Sequence, residues 1–102
     1  MLNPLVDTRD VKFVLFELLE AQKMTEYSAF ADFDLDTFEA TIDLAEQMAV
    51  EVFYPTAEEG DKIGAKWDPV TKEVKIPEIF KPALDKFYEA GFMGLTDSPE
   101  HG

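Results

Sequence analysis

The chain has 102 residues, enough for one domain, and it has no cysteine, which excludes disulfides, thiol catalysis and zinc-thiolate sites. Its formal net charge is -13, from 22 acidic and 9 basic residues, which argues against binding to nucleic acid phosphates or to an anionic membrane surface. The apolar fraction of 46% favours a folded domain over disorder. No basic leader and no apolar run of membrane-spanning length is present, so we expect a cytoplasmic location.

The first predicted element is a helix that begins near Asp7 or Thr8, since either side chain can cap the first amides. Apolar residues cover most of its circumference: Val11, Phe13, Val14, Leu15, Phe16, Leu18 and Leu19. A helix this apolar is normally buried on two sides. Because a domain of this size can hardly cover both sides, we expect this helix to contact another domain or subunit. A short helical segment, 25–33, is predicted next.

A long helix is then predicted from about Asp36 to Lys62. Asp36 and Glu39 have the spacing of a capping box, and apolar residues recur at helical spacing after them. Pro55 lacks a backbone donor and predicts a kink, but not a break, because helix-forming residues follow it. The glycine-containing stretch 60–64 is expected to end the helix.

A turn at Asp68 and Pro69 and alternating apolar residues after it predict a short hairpin, or an extended loop, near Trp67. We expect the Trp67 ring to pack on a neighbouring helix. The last helix is predicted to begin around Pro77, with Gly91 left-handed after its end and Phe92 packed back on Phe87. The predicted fold class is therefore all-α: one domain, 1–102, forming a small bundle of about four helices.

The strongest local candidate for a metal site is the acidic run that begins Asp32, Asp34, Asp36, because acids fall at positions one, three, five and twelve of a calcium loop. The geometry argues against it, since Thr37 stands where the sharp turn needs glycine. Carboxylates gathered at a helix N-terminus explain the same residues, so no metal site is predicted. His101 is the only histidine, and no glycine-rich phosphate loop is present, so no complete catalytic site is predicted either.

The closing residues carry a resemblance to a known family. They read Phe87-Tyr88-Glu89-Ala90-Gly91-Phe92-Met93-Gly94-Leu95, then Asp97-Ser98-Pro99-Glu100-His101-Gly102. This pattern resembles the N-terminal domain of acyl-CoA dehydrogenases, where His101 replaces a common tyrosine. The segments 5–15 and 60–68 resemble the longer-chain branch that includes methylmercaptopropionyl-CoA dehydrogenase-like enzymes. On this resemblance the chain is truncated before the central β-domain.

The resemblance implies a flavin-dependent oxidoreductase that dehydrogenates an acyl-CoA thioester between its α and β carbons. It implies FAD in the full-length enzyme, an acyl-CoA substrate, reoxidation by an electron-transfer flavoprotein, and a homo-oligomer. The family's catalytic and FAD-binding motifs lie outside this chain, so we expect the chain alone to be inactive and to bind no flavin.

The same resemblance places the loop after the last helix at the acyl pocket. Its candidate pocket-shaping residues are Leu95, Thr96, Asp97, Pro99, Glu100 and Gly102. An ordinary helix-ending turn, which needs glycine and proline for backbone reasons, explains these residue types equally well. The alternative function is a free-standing acidic helical module that binds a protein partner through its apolar first helix.

Overall fold

The computed structural model describes residues 3–98 and 100–101. Within this part of the chain, four α-helices and one two-stranded antiparallel hairpin are formed, which confirms the predicted all-α class. The residues fall into two compact units, the first up to Val50 and the second from Glu51 onward. No helix of the described residues combines the length and the apolar character needed to cross a membrane.

The first helix begins where the sequence predicts. Helix α1, Thr8–Lys12, is capped by Asp7, whose Oδ1 accepts from the amides of Arg9 at 3.0 Å and Asp10 at 3.4 Å. The helix continues as a π-helical segment, Phe13–Leu18. The left-handed backbone of Glu20, at φ 52°, then ends it.

The predicted helical segment 25–33 is wrong in its bounds. Two 3-10 helices, Ala21–Glu26 and Ser28–Phe30, occupy this region, and the extended backbone of Tyr27 separates them. Thr25 does not start a helix, because its hydroxyl donates to the Gln22 carbonyl at 2.9 Å inside the first of the two.

Helix α2, Leu35–Gln47, starts earlier than predicted, because Asp34 and not Asp36 is its cap. Asp34 Oδ1 accepts from the amide of Thr37 at 2.8 Å and from the Thr37 hydroxyl at 2.7 Å. Two donors on one residue favour this cap over a capping box at Asp36. Asp36 lies in the first turn, where its charge favours the helix dipole.

The Asp34 cap predicts a pH-dependent contribution to stability. Hydrogen bonds from the Thr37 hydroxyl and amide lower the pKa of Asp34 below its usual 3.8. Because the folded-state pKa is depressed, the stabilisation is present above the unfolded pKa and is lost as the pH falls through the folded pKa. We expect Asp34→Ala to lower the urea midpoint at neutral pH. Asp34→Asn should stay near wild type and should lose less stability below pH 3.8. Equal acid sensitivity of wild type and Asp34→Asn would contradict this assignment.

The helix passes through Pro55 without a break, as predicted. A π-helical segment, Met48–Phe53, connects α2 to helix α3, Tyr54–Ile63, and Pro55 lies in the first turn of α3. A kink at this point stays a prediction. The predicted end within 60–64 is confirmed, since α3 ends at Ile63 and Gly64, at φ 67°, follows it, while Gly60 is a buried residue inside the helix.

The hairpin near Trp67 is confirmed. Strands β1, Lys66–Trp67, and β2, Val74–Lys75, pair in antiparallel register, with Lys66 opposite Lys75 and Trp67 opposite Val74. The expectation that Trp67 packs on a helix is wrong. Its ring is 59% exposed and lies 5.5 Å from the ammonium of Lys72, in the hairpin's own turn. Lys72 itself has a left-handed backbone, at φ 63°.

Helix α4, Phe80–Glu89, begins three residues later than predicted. Pro77 is buried in a turn ahead of the helix, and its carbonyl oxygen accepts from the Phe80 amide at 3.2 Å. The predicted ending is confirmed: Gly91 is left-handed, at φ 81°, and the rings of Phe92 and Phe87 stack with centroids 5.5 Å apart.

Candidate functional site

The candidate pocket loop is built directly on the end of α4. Gly91 reverses the chain, and a single 3-10 turn, Phe92–Gly94, follows. The amide of Leu95 donates to the Phe92 carbonyl at 3.3 Å, and that of Asp97 donates to the Gly94 carbonyl at 3.1 Å. The two hydrogen bonds order the turns within 92–97, and the Phe92–Phe87 stack ties the start of the loop to α4.

The loop presents its predicted residues outward. Leu95, Thr96, Asp97 and Glu100 are exposed, and the Leu95 side chain retains 59% of its surface. Pro99 and Gly102, which belong to the same prediction, lie outside the described residues. Met93, two residues before Leu95, is exposed as well, with 65% of its surface accessible.

The exposed side chains of this loop combine apolar and polar groups. Met93 and Leu95 offer an apolar edge, and Thr96 and Asp97 offer an adjacent hydroxyl and carboxylate. Among the described residues, no group of three or more His, Asp or Glu side chains could hold a metal ion. The arrangement therefore supports contact with an apolar group and does not itself supply a catalytic constellation.

A cleft in the second unit lies away from this loop. Its volume is about 250 Å³, and its lining includes Pro55 of α3, Ala83 of α4, and Val52 and Ile79, which lie just before these two helices. Of the candidate loop residues that the structure describes, none lines this cleft. The geometry consequently does not join the two features into one site.

A larger cleft of about 580 Å³ in the first unit runs along α1 and is lined by Lys12, Phe13, Phe16 and Glu39, among others. Lys12 Nζ lies 2.7 Å from Asp43 Oδ1, and this hydrogen bond is the main cause that raises the pKa of Lys12. A lysine held protonated in this way is a poor general base. The ion pair is best explained as a link between α1 and α2.

The apolar residues of the first helix remain largely uncovered. Phe13, Val14, Leu18 and Leu19 are all exposed, and Leu18 and Leu19 each retain about two thirds of their surface. Exposed apolar surface of this kind is typical of a contact with another protein segment. That the first helix contacts another domain or subunit stays a prediction, and these exposed residues are the surface that such a contact would cover.

The described residues do not fit FAD. A dinucleotide's pyrophosphate is usually held by glycine-rich backbone at a helix N-terminus. Here the N-termini of α1 and α2 are already capped by the carboxylates of Asp7 and Asp34, which would repel a phosphate.

The known proteins that this chain is similar to all carry the name of an acyl-CoA dehydrogenase. The chain is 33% identical over 86 residues to the "Broad-specificity linear acyl-CoA dehydrogenase FadE5" of Mycobacterium tuberculosis, a match that covers 84% of this chain and 14% of that protein. It is 33% identical over 91 residues to a butyryl-CoA dehydrogenase of Syntrophomonas wolfei, covering 87% of this chain and 15% of the relative. A 3-methylmercaptopropionyl-CoA dehydrogenase of Ruegeria pomeroyi is 27% identical over 94 residues, covering 92% of this chain and 16% of that protein.

The chain is similar to a segment of acyl-CoA dehydrogenases. It spans about one seventh of the length of these relatives. No protein-family model matches the chain, and no solved structure matches it significantly. The similarity supports a fragment of an acyl-CoA dehydrogenase, and it does not distinguish the longer-chain branch from the rest of the family.

Proposed function

We propose that this chain is the N-terminal helical domain of a flavin-dependent acyl-CoA dehydrogenase. The observation that carries the proposal is the similarity to three named acyl-CoA dehydrogenases over most of this chain and a small part of theirs. In the whole enzyme the substrate is an acyl-CoA, the cofactor is FAD bound by residues outside this chain, and the electron acceptor is an electron-transfer flavoprotein. The chain alone is inactive.

The role proposed for this domain is to shape the acyl pocket and to pack in the oligomer. The exposed apolar edge of Met93 and Leu95 suits contact with an acyl chain, and the stacked Phe87 and Phe92 rings hold that edge in place. The uncovered apolar surface of α1 and its π-helical continuation suits burial against the remainder of the enzyme. Membership of the longer-chain branch rests on the motifs in 5–15 and 60–68 and stays a prediction.

The first test uses the native protein that contains this sequence. We expect an intact mass several times the 11.6 kDa of this chain, a flavin absorbance spectrum, and acyl-CoA-dependent reduction of an artificial electron acceptor. A native protein of 11.6 kDa that binds no flavin would contradict the proposal. That outcome would instead support the free-standing acidic interaction module, which the same exposed apolar surface would serve.

The second test addresses the pocket loop in the flavin-loaded enzyme. Leu95→Ala should change the ratio of kcat/KM values for short and long acyl-CoA substrates by roughly tenfold, because one or a few methylene contacts are worth that much in an apolar pocket. Val70→Ala is the matched control, since Val70 is an exposed apolar residue in the hairpin turn. An unchanged ratio in Leu95→Ala, or the same change in both variants, would remove the loop from the pocket.

A further inference from the structure

We propose that the hairpin 66–75 is an amphipathic anchor that lies on a zwitterionic lipid surface, with its apolar face toward the lipid headgroups and its charged face toward water. Three observations carry this proposal: the hairpin is exposed on both sides, its two faces differ in chemistry, and its turn is ordered. The proposed function does not use this surface, and the anchor does not rest on that function.

The hairpin is not covered by the rest of the second unit. Every residue from Lys66 to Ile76 is exposed except Asp68, which is partly buried. Val70, in the turn, retains 88% of its surface, the largest fraction among the exposed apolar residues that the structure describes. Both sides of the hairpin are therefore open to an external surface.

The strand register gives the hairpin one apolar face and one charged face. Residues directly opposite each other in an antiparallel pair lie on the same face, so Trp67 and Val74 share one face and Lys66 and Lys75 share the other. Trp67 and Val74 each retain about 60% of their surface. The hairpin thus has the two-sided chemistry of an amphipathic element that lies in the plane of a membrane interface.

Trp67 supplies an anchor that suits a boundary between lipid and water. Tryptophan is enriched at such boundaries because its ring is apolar and its N–H group is polar. The Lys72 ammonium lies 5.5 Å from the centroid of the Trp67 ring. The ion pairs of the described residues involve Lys12, Lys23 and Lys62, so the Lys72 ammonium is available to a lipid phosphate beside the ring.

The hairpin turn is ordered before it binds. Asp68 Oδ1 accepts from the amides of Val70 at 2.8 Å and Thr71 at 3.3 Å. The Asp68 carbonyl accepts from the Lys72 amide at 2.8 Å. Because these hydrogen bonds already fix the turn, little conformational entropy is lost when the apolar face is covered.

The size and the charge of the hairpin favour a zwitterionic lipid surface over a protein partner. A stable protein interface uses about 20–30 residues on each side, far more than the hairpin contains. The hairpin carries three lysines against two carboxylates, whereas the whole chain has a net charge of -13. Anionic lipids would repel such a chain, and a zwitterionic headgroup offers a phosphate without a net negative surface charge.

The expected depth of binding is shallow. A sheet of two strands has unpaired backbone groups along both edges, and such groups cannot enter hydrocarbon without hydrogen-bond partners. We therefore expect the Trp67 ring to lie among the headgroups and the hydrocarbon below them to stay free of the backbone.

The test is flotation of the 102-residue chain with phosphatidylcholine vesicles at about 0.1 M salt, together with the fluorescence of Trp67, the only tryptophan. We expect the chain to float with the vesicles and its emission to shift to shorter wavelength. Val74→Asp should lower the partition coefficient roughly tenfold, because it removes a valine side chain from the apolar face. Lys66→Glu with Lys75→Glu, on the charged face, should change it less than about twofold.

Leu18→Asp with Leu19→Asp is the matched control, because these two residues are as exposed as Trp67 but belong to the first unit. This variant should stay within about twofold of the wild-type partition coefficient, since the hairpin is unchanged. Replacing part of the phosphatidylcholine by phosphatidylglycerol should weaken binding at low salt, because the acidic chain is then repelled. Far-UV circular dichroism checks that each variant folds.

Three results would overturn the proposal. The first is a wild-type chain that stays in the aqueous fraction, which would leave the hairpin as a contact for another protein. The second is an equal loss of binding in Val74→Asp and in the Leu18, Leu19 control, which would indicate general adhesion of exposed apolar residues. The third is stronger binding to vesicles that contain phosphatidylglycerol, which would indicate attraction by the lysines alone.

Discussion

Gly60→Ala is expected to destabilise the protein by about 1–3 kcal/mol, although it replaces a glycine inside a helix by the best helix former. Helix propensity alone predicts the opposite effect, an increase of about 1 kcal/mol in the free energy of unfolding. The tertiary contact decides the sign, because a Cβ added to Gly60 would overlap the ring atoms Cζ and Cε1 of Phe80. Either the Phe80 ring must leave its position or α3 and α4 must move apart, and both changes lose packing contacts.

Urea denaturation of Gly60→Ala, with two companion variants, tests this expectation. Ala57→Gly, at an exposed position of the same helix, should lose about 1 kcal/mol through propensity alone. Adding Phe80→Leu to Gly60→Ala should recover part of the lost stability, because the smaller side chain relieves the overlap. A stabilised Gly60→Ala variant would show that α3 and α4 do not pack as closely as the structure has them.

Phe87→Ala should lower the free energy of unfolding by about 2–4 kcal/mol. The Phe87 ring is half-buried and contacts three other rings, with centroid distances of 6.0 Å to Phe53, 6.3 Å to Tyr88 and 5.5 Å to Phe92. Its removal deletes apolar contact and each of these ring pairs at once. Tyr88→Ala, in the same helix but mostly exposed, should cost less than half as much.

The same Phe87→Ala variant should loosen the candidate pocket loop. The Leu95 amide, which donates to the Phe92 carbonyl, depends on the position of the Phe92 ring against Phe87. We expect faster hydrogen exchange at Leu95 in Phe87→Ala than in Tyr88→Ala, after correction for global stability. Equal exchange rates in the two variants would mean that the loop holds its conformation without the ring stack.

Features governed by local backbone chemistry could be predicted from the sequence. Asp7 caps the first helix, Asp68 starts the hairpin turn, and Gly91 takes the left-handed conformation after α4. Each depends on hydrogen bonds or dihedral preferences within a few residues. The apolar circumference of the first helix also follows from sequence spacing, and its exposure in the structure agrees with that prediction.

The sequence-based predictions were wrong where two neighbouring residues could both cap a helix, and where side-chain packing decides the position of a ring. Asp34 and Asp36 are both plausible caps, and the second donor from Thr37 selects Asp34. Trp67 was expected to pack on a helix, but its ring is exposed and the Lys72 ammonium lies over it instead. For the candidate loop, the sequence indicated the residues through a family resemblance, and the roles of Leu95 and its neighbours stay predictions.

The sequence by itself determined the all-α class, the helix-ending turns and the exposed acidic character of this protein, because these depend on composition, periodicity and short-range backbone preferences. Only the tertiary structure decided that Gly60 is a packing residue, since the ring that lies against it, Phe80, is 20 residues away in the chain. It also decided that Lys66 faces Lys75, because strand register depends on the turn geometry between them.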